Sequence, residues 1–131
     1  MENRRKYTNR FLLRIITKTR ELLSDPGRWT KGRYARTADG LNVSPHREAA
    51  TCFCLVGAIK RSTANNDQED SVDDAISATL RSRGFFEGVI NFNDRPETTH
   101  ADVLKLLDET AEHLREHTDD QTPARPQRSN T

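Results

Sequence analysis

Between Ala49 and Ile59 only one residue in eleven, Thr51, is polar. The whole chain is 33% hydrophobic, where roughly 45–50% is usual, so this dense run must sit at the centre of the fold. Ser44-Pro45 precedes it, and Ser as N-cap with Pro at the first helical position signals a helix start. The expectation is a helix over 45–61, apolar all round and therefore buried. Lys60-Arg61 at its end suits the negative pole of the helix dipole.

Around that segment the periodicity is mostly helical. Phe11, Leu12, Ile15, Ile16, Thr19, Leu22 and Leu23 recur at helical spacing and stop at Ser24-Asp25-Pro26-Gly27, which predicts a helix over 7–24. Residues 27–43 have no helical period. Asp39-Gly40 is a tight-turn signal, leaving a short hairpin at 33–43 or an irregular loop. Residues 62–71 read as a polar linker, with Ser71 capping a third helix that carries Val72, Ala75, Ile76, Thr79 and Leu80 inward. Phe85 to Phe92 is a short apolar passage, extended or a helical turn, and Asn93-Asp94-Arg95-Pro96 reads as a turn. Thr99 with Asp102 forms a capping box opening a fourth helix. The expected architecture is all-α, about four helices around the 45–61 helix, in one domain over 1–117. Pro, Gln, Arg, Ser and Asn dominate residues 118–131, predicting a disordered tail.

Charge is unevenly spread. Residues 1–36 hold 11 basic and 3 acidic groups, while residues 62–120 hold 5 basic and 15 acidic groups. Lys6, Arg10, Arg14 and Lys18 are spaced by four and form one ridge on the first helix. Such a split points to a nucleic-acid or acidic partner, or to two parts of the molecule facing each other. No helix-turn-helix, zinc-finger or RNA-binding motif accompanies the ridge. A protein partner or self-association is therefore the favoured expectation, with nucleic acid as the alternative. The competing account is pairing of the ridge with Asp102, Glu109, Glu112 and Glu116.

No apolar run approaches the length of a membrane span, so no membrane association is expected, and cytoplasm is the expected compartment. Cys52 and Cys54 are the only cysteines, and on a helix they would point about 200° apart. Their spacing is too close for a zinc site, and His113 with His117 lies among acids, so neither metal nor cofactor is expected.

Three stretches, in this order and spacing, resemble an uncharacterised family of small bacterial and phage proteins catalogued as a domain of unknown function. They are Trp29-Thr30-Lys31-Gly32, Phe53-Cys54-Leu55-Val56-Gly57-Ala58 and Phe92-Asn93-Asp94-Arg95-Pro96, followed by Val103-Leu104-Lys105-Leu106-Leu107-Asp108. Phe53 and Phe92 stand where many relatives look to have Trp. The resemblance, over roughly 11–115, implies no activity; it implies a bacterial or phage accessory protein.

Two functional readings follow. The first is a binding or regulatory module acting through charge, with Arg10, Arg14, Lys18, Trp29, Lys31 and Arg33 as the binding residues. Trp29 between Arg28 and Lys31 would stack on a planar ligand, or simply cover a lean core. The second is a small enzyme or ligand-binding protein with a pocket near Trp29, Cys54, Asn93 and Asp94. Cys54 would be its nucleophile, partnered by His46, His100, Asn93 or Asp94. A Cys54 ten residues into a helix, however, is beyond reach of the dipole that would activate it, which favours a small buried hydrophobe. Asn93-Asp94 before a Pro more simply makes side-chain turns to its own backbone.

Overall fold

A computed structural model describes residues 6–116. Thr8 starts the first helix, α1 (Asn9–Leu22), by accepting a hydrogen bond from Phe11 N. Its inward stripe is Leu12, Ile15, Ile16 and Thr19, as the helical spacing predicts. The buried Thr19 hydroxyl donates to Ile15 O at 2.9 Å, so no polar group is left unsatisfied there. Asp25 accepts from Gly27 N and opens a single 3-10 turn, Pro26–Arg28, that ends the segment.

The expected helix over 45–61 is corrected by the structure. Residues 44–51 form turns, Cys52–Phe53 is a short strand (β2), and the helix α2 runs only over Leu55–Ser62. The Ser44 hydroxyl does accept from His46 N, but the chain turns there and does not continue as a helix. The reason is non-local: β2 pairs antiparallel with Ala35–Arg36 (β1), matching Ala35 with Phe53 and Arg36 with Cys52. Thr30 N and Thr51 N also donate across this region, to Phe53 O and Arg36 O. A backbone so occupied cannot also close helical bonds, and Phe53 is thereby driven fully into the core. The hairpin at 33–43 is present in small form, with an Arg36–Asn42 bridge and a turn through Gly40 at φ +86°.

Three further helices complete the frame. The stretch 62–71 is not a linker, because α3 spans Asn66–Ser82. Asn65 accepts from Gln68 N while the Gln68 side chain accepts from Ala64 N, a capping arrangement that starts the helix well before Ser71. The passage after Phe85 is resolved as α4 (Val89–Asp94), entered through Gly88 at φ +93°. Asn93 and Asp94 therefore close a helix, and the turn begins at Arg95. Thr99 and Asp102 exchange both bonds of the expected capping box at the start of α5 (His100–Glu116). The chain is mostly helical, with five α-helices among the described residues. The expected tail at 118–131 lies outside them.

Helix α1 packs against α5 and α2, and α3 closes over α5. Leu12, Ile16, Ile59, Ile76, Leu106 and Leu107 meet in the centre with at most 1% exposure. Part of the charge split is used at these seams: Lys6 pairs with Asp67 and Arg20 with Asp108, at 2.8 and 2.6 Å. Arg10, Arg14 and Lys18 remain on the exposed face of α1 and form no ion pair among the described residues. These three residues of the ridge therefore face solvent and do not pair with α5, while Lys6 is engaged by α3.

Candidate functional site

The site is organised by one side chain. Asn93, at the end of α4, is completely buried. Its Oδ1 accepts from Trp29 Nε1 at 2.7 Å and from Leu55 N at 3.0 Å. Its Nδ2 donates to Thr30 O at 3.1 Å and to Asp94 Oδ1 at 2.9 Å. A primary amide offers two donors and two acceptor lone pairs, and here every one is used. Three segments far apart in sequence are thereby tied together: the stretch after α1, the start of α2, and α4.

Asp94 extends this knot toward solvent. Its Oδ1 also accepts from Gly32 N at 3.0 Å, so that oxygen is held from two sides. Lys31 lies 5.5 Å over the Trp29 ring and donates to Arg95 O. Trp29 and Lys31 are thus engaged internally. Their indole N–H and ammonium serve the fold, and Trp29 covers the core more than it offers a stacking face. Arg33 lies beside them in sequence but is exposed.

Cys54 sits elsewhere than a 45–61 helix requires. It is the N-cap of α2, with extended backbone, and its Sγ accepts from Gly57 N at 3.3 Å. Because Cys52 and Cys54 lie on extended chain, they are not splayed as on a helix. Cys54 is therefore at the positive end of the α2 dipole and not ten residues into a helix. Burial nevertheless decides the outcome: it pushes the thiol up from its ordinary range, only partly opposed by hydrogen bonds from the Gly57 and Val56 amides. Tyr34 O accepts from Cys54 N, and this carbonyl lies so close to Gly57 that a side chain there would collide with it. Glycine is required at 57 by that approach.

An open cavity of about 340 Å³ lies over Cys54, lined by Gly32, Arg33, Tyr34, Asn42, Ile90 and Asp94 as well. Cys54, 5% exposed, is its floor. Neither His46 nor His100 lines it; the His100 ring is turned to the Leu23 carbonyl, 2.6 Å away. Tyr34, Asn42 and Ile90 carried no sequence signal of a site. Tyr34 and Ile90 are, however, large apolar side chains left 45% exposed. Arg10, Arg14 and Lys18 belong to a different surface, on α1. Among the described residues no group of three His, Cys, Asp or Glu is placed to hold a metal ion, and no helix is long and apolar enough to cross a membrane.

A small, mainly helical domain with a two-strand clasp and a buried amide knot is the class these features define. Within that class, the chain belongs to the family of unknown function DUF6197, which it matches over residues 10–113. No curated protein and no solved structure matches it.

Proposed function

We propose that this chain, a bacterial or phage accessory protein of the cytoplasm, binds a small polar ligand in the cavity above Cys54. One observation carries the reading: Gly32, Cys54 and Asp94, one from each of the three landmark stretches, line a single cavity. Its volume lies at the lower end of the roughly 300–1,000 Å³ usual for ligand sites. The chemistry offered is mixed. The Asp94 carboxylate is held by Gly32 N and Asn93 through Oδ1 alone, leaving Oδ2 for a cationic group. Arg33 supplies a guanidinium suited to a carboxylate, and Tyr34, Ile90 and the Cys54 thiol supply apolar wall. A ligand with one cationic and one anionic group, such as an amino acid or a peptide end, matches this set. Binding is favoured over thiol catalysis because the thiol is pushed up by burial and, among the described residues, no imidazole lines the cavity.

The test is a thermal-shift and NMR titration with free amino acids, simple amines and simple carboxylates. A zwitterion should raise the melting temperature and perturb amides at 32–34, 54–57 and 90–94, and Asp94→Asn or Arg33→Gln should each abolish the effect. Absence of any shift across the panel, or shifts indifferent to both substitutions, would overturn the reading.

A further inference from the structure

We infer that the outer face of α1, continued by the end of α2, binds the phosphate backbone of a nucleic acid. This inference stands apart from the cavity. Arg10, Arg14 and Lys18 are exposed, at a rise of ~6 Å from one to the next, and none forms an ion pair among the described residues. Other cations of the same segment are neutralised: Lys6 by Asp67 of α3 and Arg20 by Asp108 of α5. The structure thus sorts the basic segment into charges used at seams and charges presented outward.

Folding also adds a fourth cation that sequence spacing does not reveal. Lys18 and Arg61 line one surface depression of about 390 Å³, in which Glu21 is the single acid among the described residues. Arg61 is held there through Nη1, which donates to Pro45 O at 2.8 Å and Arg47 O at 3.0 Å, so its remaining nitrogens are oriented for an anion. Arg10, Arg14, Lys18 and Arg61 form one basic track across two helices.

The track suits phosphate better than an acidic protein. Protein interfaces draw most of their affinity from a few buried aromatic and aliphatic anchors. Among the described residues the exposed large apolar side chains, Tyr34, Leu41, Phe86 and Ile90, all lie off α1 and α2. Phosphate contacts need charge alone and carry no base information, so binding is independent of sequence. Asp67 of α3 and Asp108 of α5 are occupied by Lys6 and Arg20 and so do not neutralise the track.

Fluorescence anisotropy of the full chain with a labelled duplex and a labelled single strand, over a range of salt, tests this. Four contacts predict a duplex slope of log affinity on log salt near −3.6, a loss on the order of a hundredfold between 50 and 200 mM. The triple variant Arg10→Gln, Arg14→Gln, Lys18→Gln should lose at least about tenfold at 50 mM salt and flatten the slope. Arg10→Lys with Arg14→Lys should keep most of the affinity, and Arg81→Gln on α3 should change nothing. The inference is overturned by no binding of either nucleic acid at 50 mM salt or by a slope near zero. It is equally overturned by a folded triple variant that binds like the wild type, or by an acidic polypeptide binding as tightly as the nucleic acids.

Discussion

The Trp29 indole N–H donates to the Asn93 side-chain oxygen at 2.7 Å across 64 positions of sequence. That oxygen simultaneously caps the start of α2 through Leu55 N. Removing the amide orphans the buried Leu55 N–H and the half-buried Trp29 indole N–H, and frees the Thr30 carbonyl as well. Each unsatisfied buried group costs roughly 1–3 kcal/mol, so Asn93→Ala should destabilise by about 3 kcal/mol or more. Trp29→Phe, which removes one donor and keeps most of the ring, should cost about 1 kcal/mol. In urea denaturation the double variant should lose less than the sum of the two, because they share one bond; strict additivity would contradict the knot.

Gly57→Ala reverses a familiar sign. Within a helix this change ordinarily gains roughly 0.5–1 kcal/mol. At position 57 the new methyl meets the Tyr34 carbonyl, whose bond from Cys54 N anchors the approach. A loss of at least about 1–3 kcal/mol is expected. Gly27→Ala, whose added carbon would sit 3.5 Å from Asp25 Oδ1 in ordinary contact, should be near neutral. Paired denaturation curves check the contrast.

Thiol chemistry should separate the two cysteines. Cys54 is buried and its thiol is pushed up by that burial, while Cys52 is only half-buried. In a Cys52→Ser background, alkylation of native Cys54 near pH 8 should run at least about tenfold slower than in the urea-unfolded chain. The gap should narrow as pH rises past the ordinary thiol range, where the buried thiolate finally forms. Equal native and unfolded rates at pH 8 would refute this.

Two carboxylates should give stability opposite slopes with pH. Burial raises Asp73, partly offset by a hydrogen bond from Ser77. The native state then holds its proton longer than the unfolded chain, so Asp73 costs stability once pH rises through the interval between the two values. Asp73→Asn should raise the denaturation midpoint at pH 7 and gain less below the ordinary carboxylate range. Asp102 is lowered, first by the bond from Thr99 N. Its contribution is present above the unfolded value and disappears as pH falls through the native one. In urea denaturation Asp102→Asn should lower the midpoint at pH 7 and cost progressively less as pH falls below the ordinary carboxylate range.

Local physics made some elements legible. The stripe Leu12, Ile15, Ile16, Thr19 and the Thr99–Asp102 box are statements a helix makes about itself, and both hold. The start signal at Ser44-Pro45 misleads because periodicity alone cannot separate a short buried strand from helix. What decides there is pairing with Ala35 and Arg36, sixteen or more positions away. The Asn65–Gln68 cap was visible in principle but was hidden inside a polar run. Cys54, Asn93 and Asp94 could be named from sequence as residues of interest. A pocket near Trp29, Cys54, Asn93 and Asp94 could be proposed, but not the bonds that build it, since those to Trp29, Thr30, Gly32 and Leu55 all span 38 or more positions.

The division of labour around Asn93 bears on how such a protein can diversify. The buried knot holds the segments, whereas Arg33, Asn42 and Ile90 stand exposed at the cavity mouth outside its hydrogen bonds. Under the proposed ligand reading, selectivity can therefore be rewritten at the mouth while the frame stays intact. One scaffold can then carry many specificities at nearly constant stability.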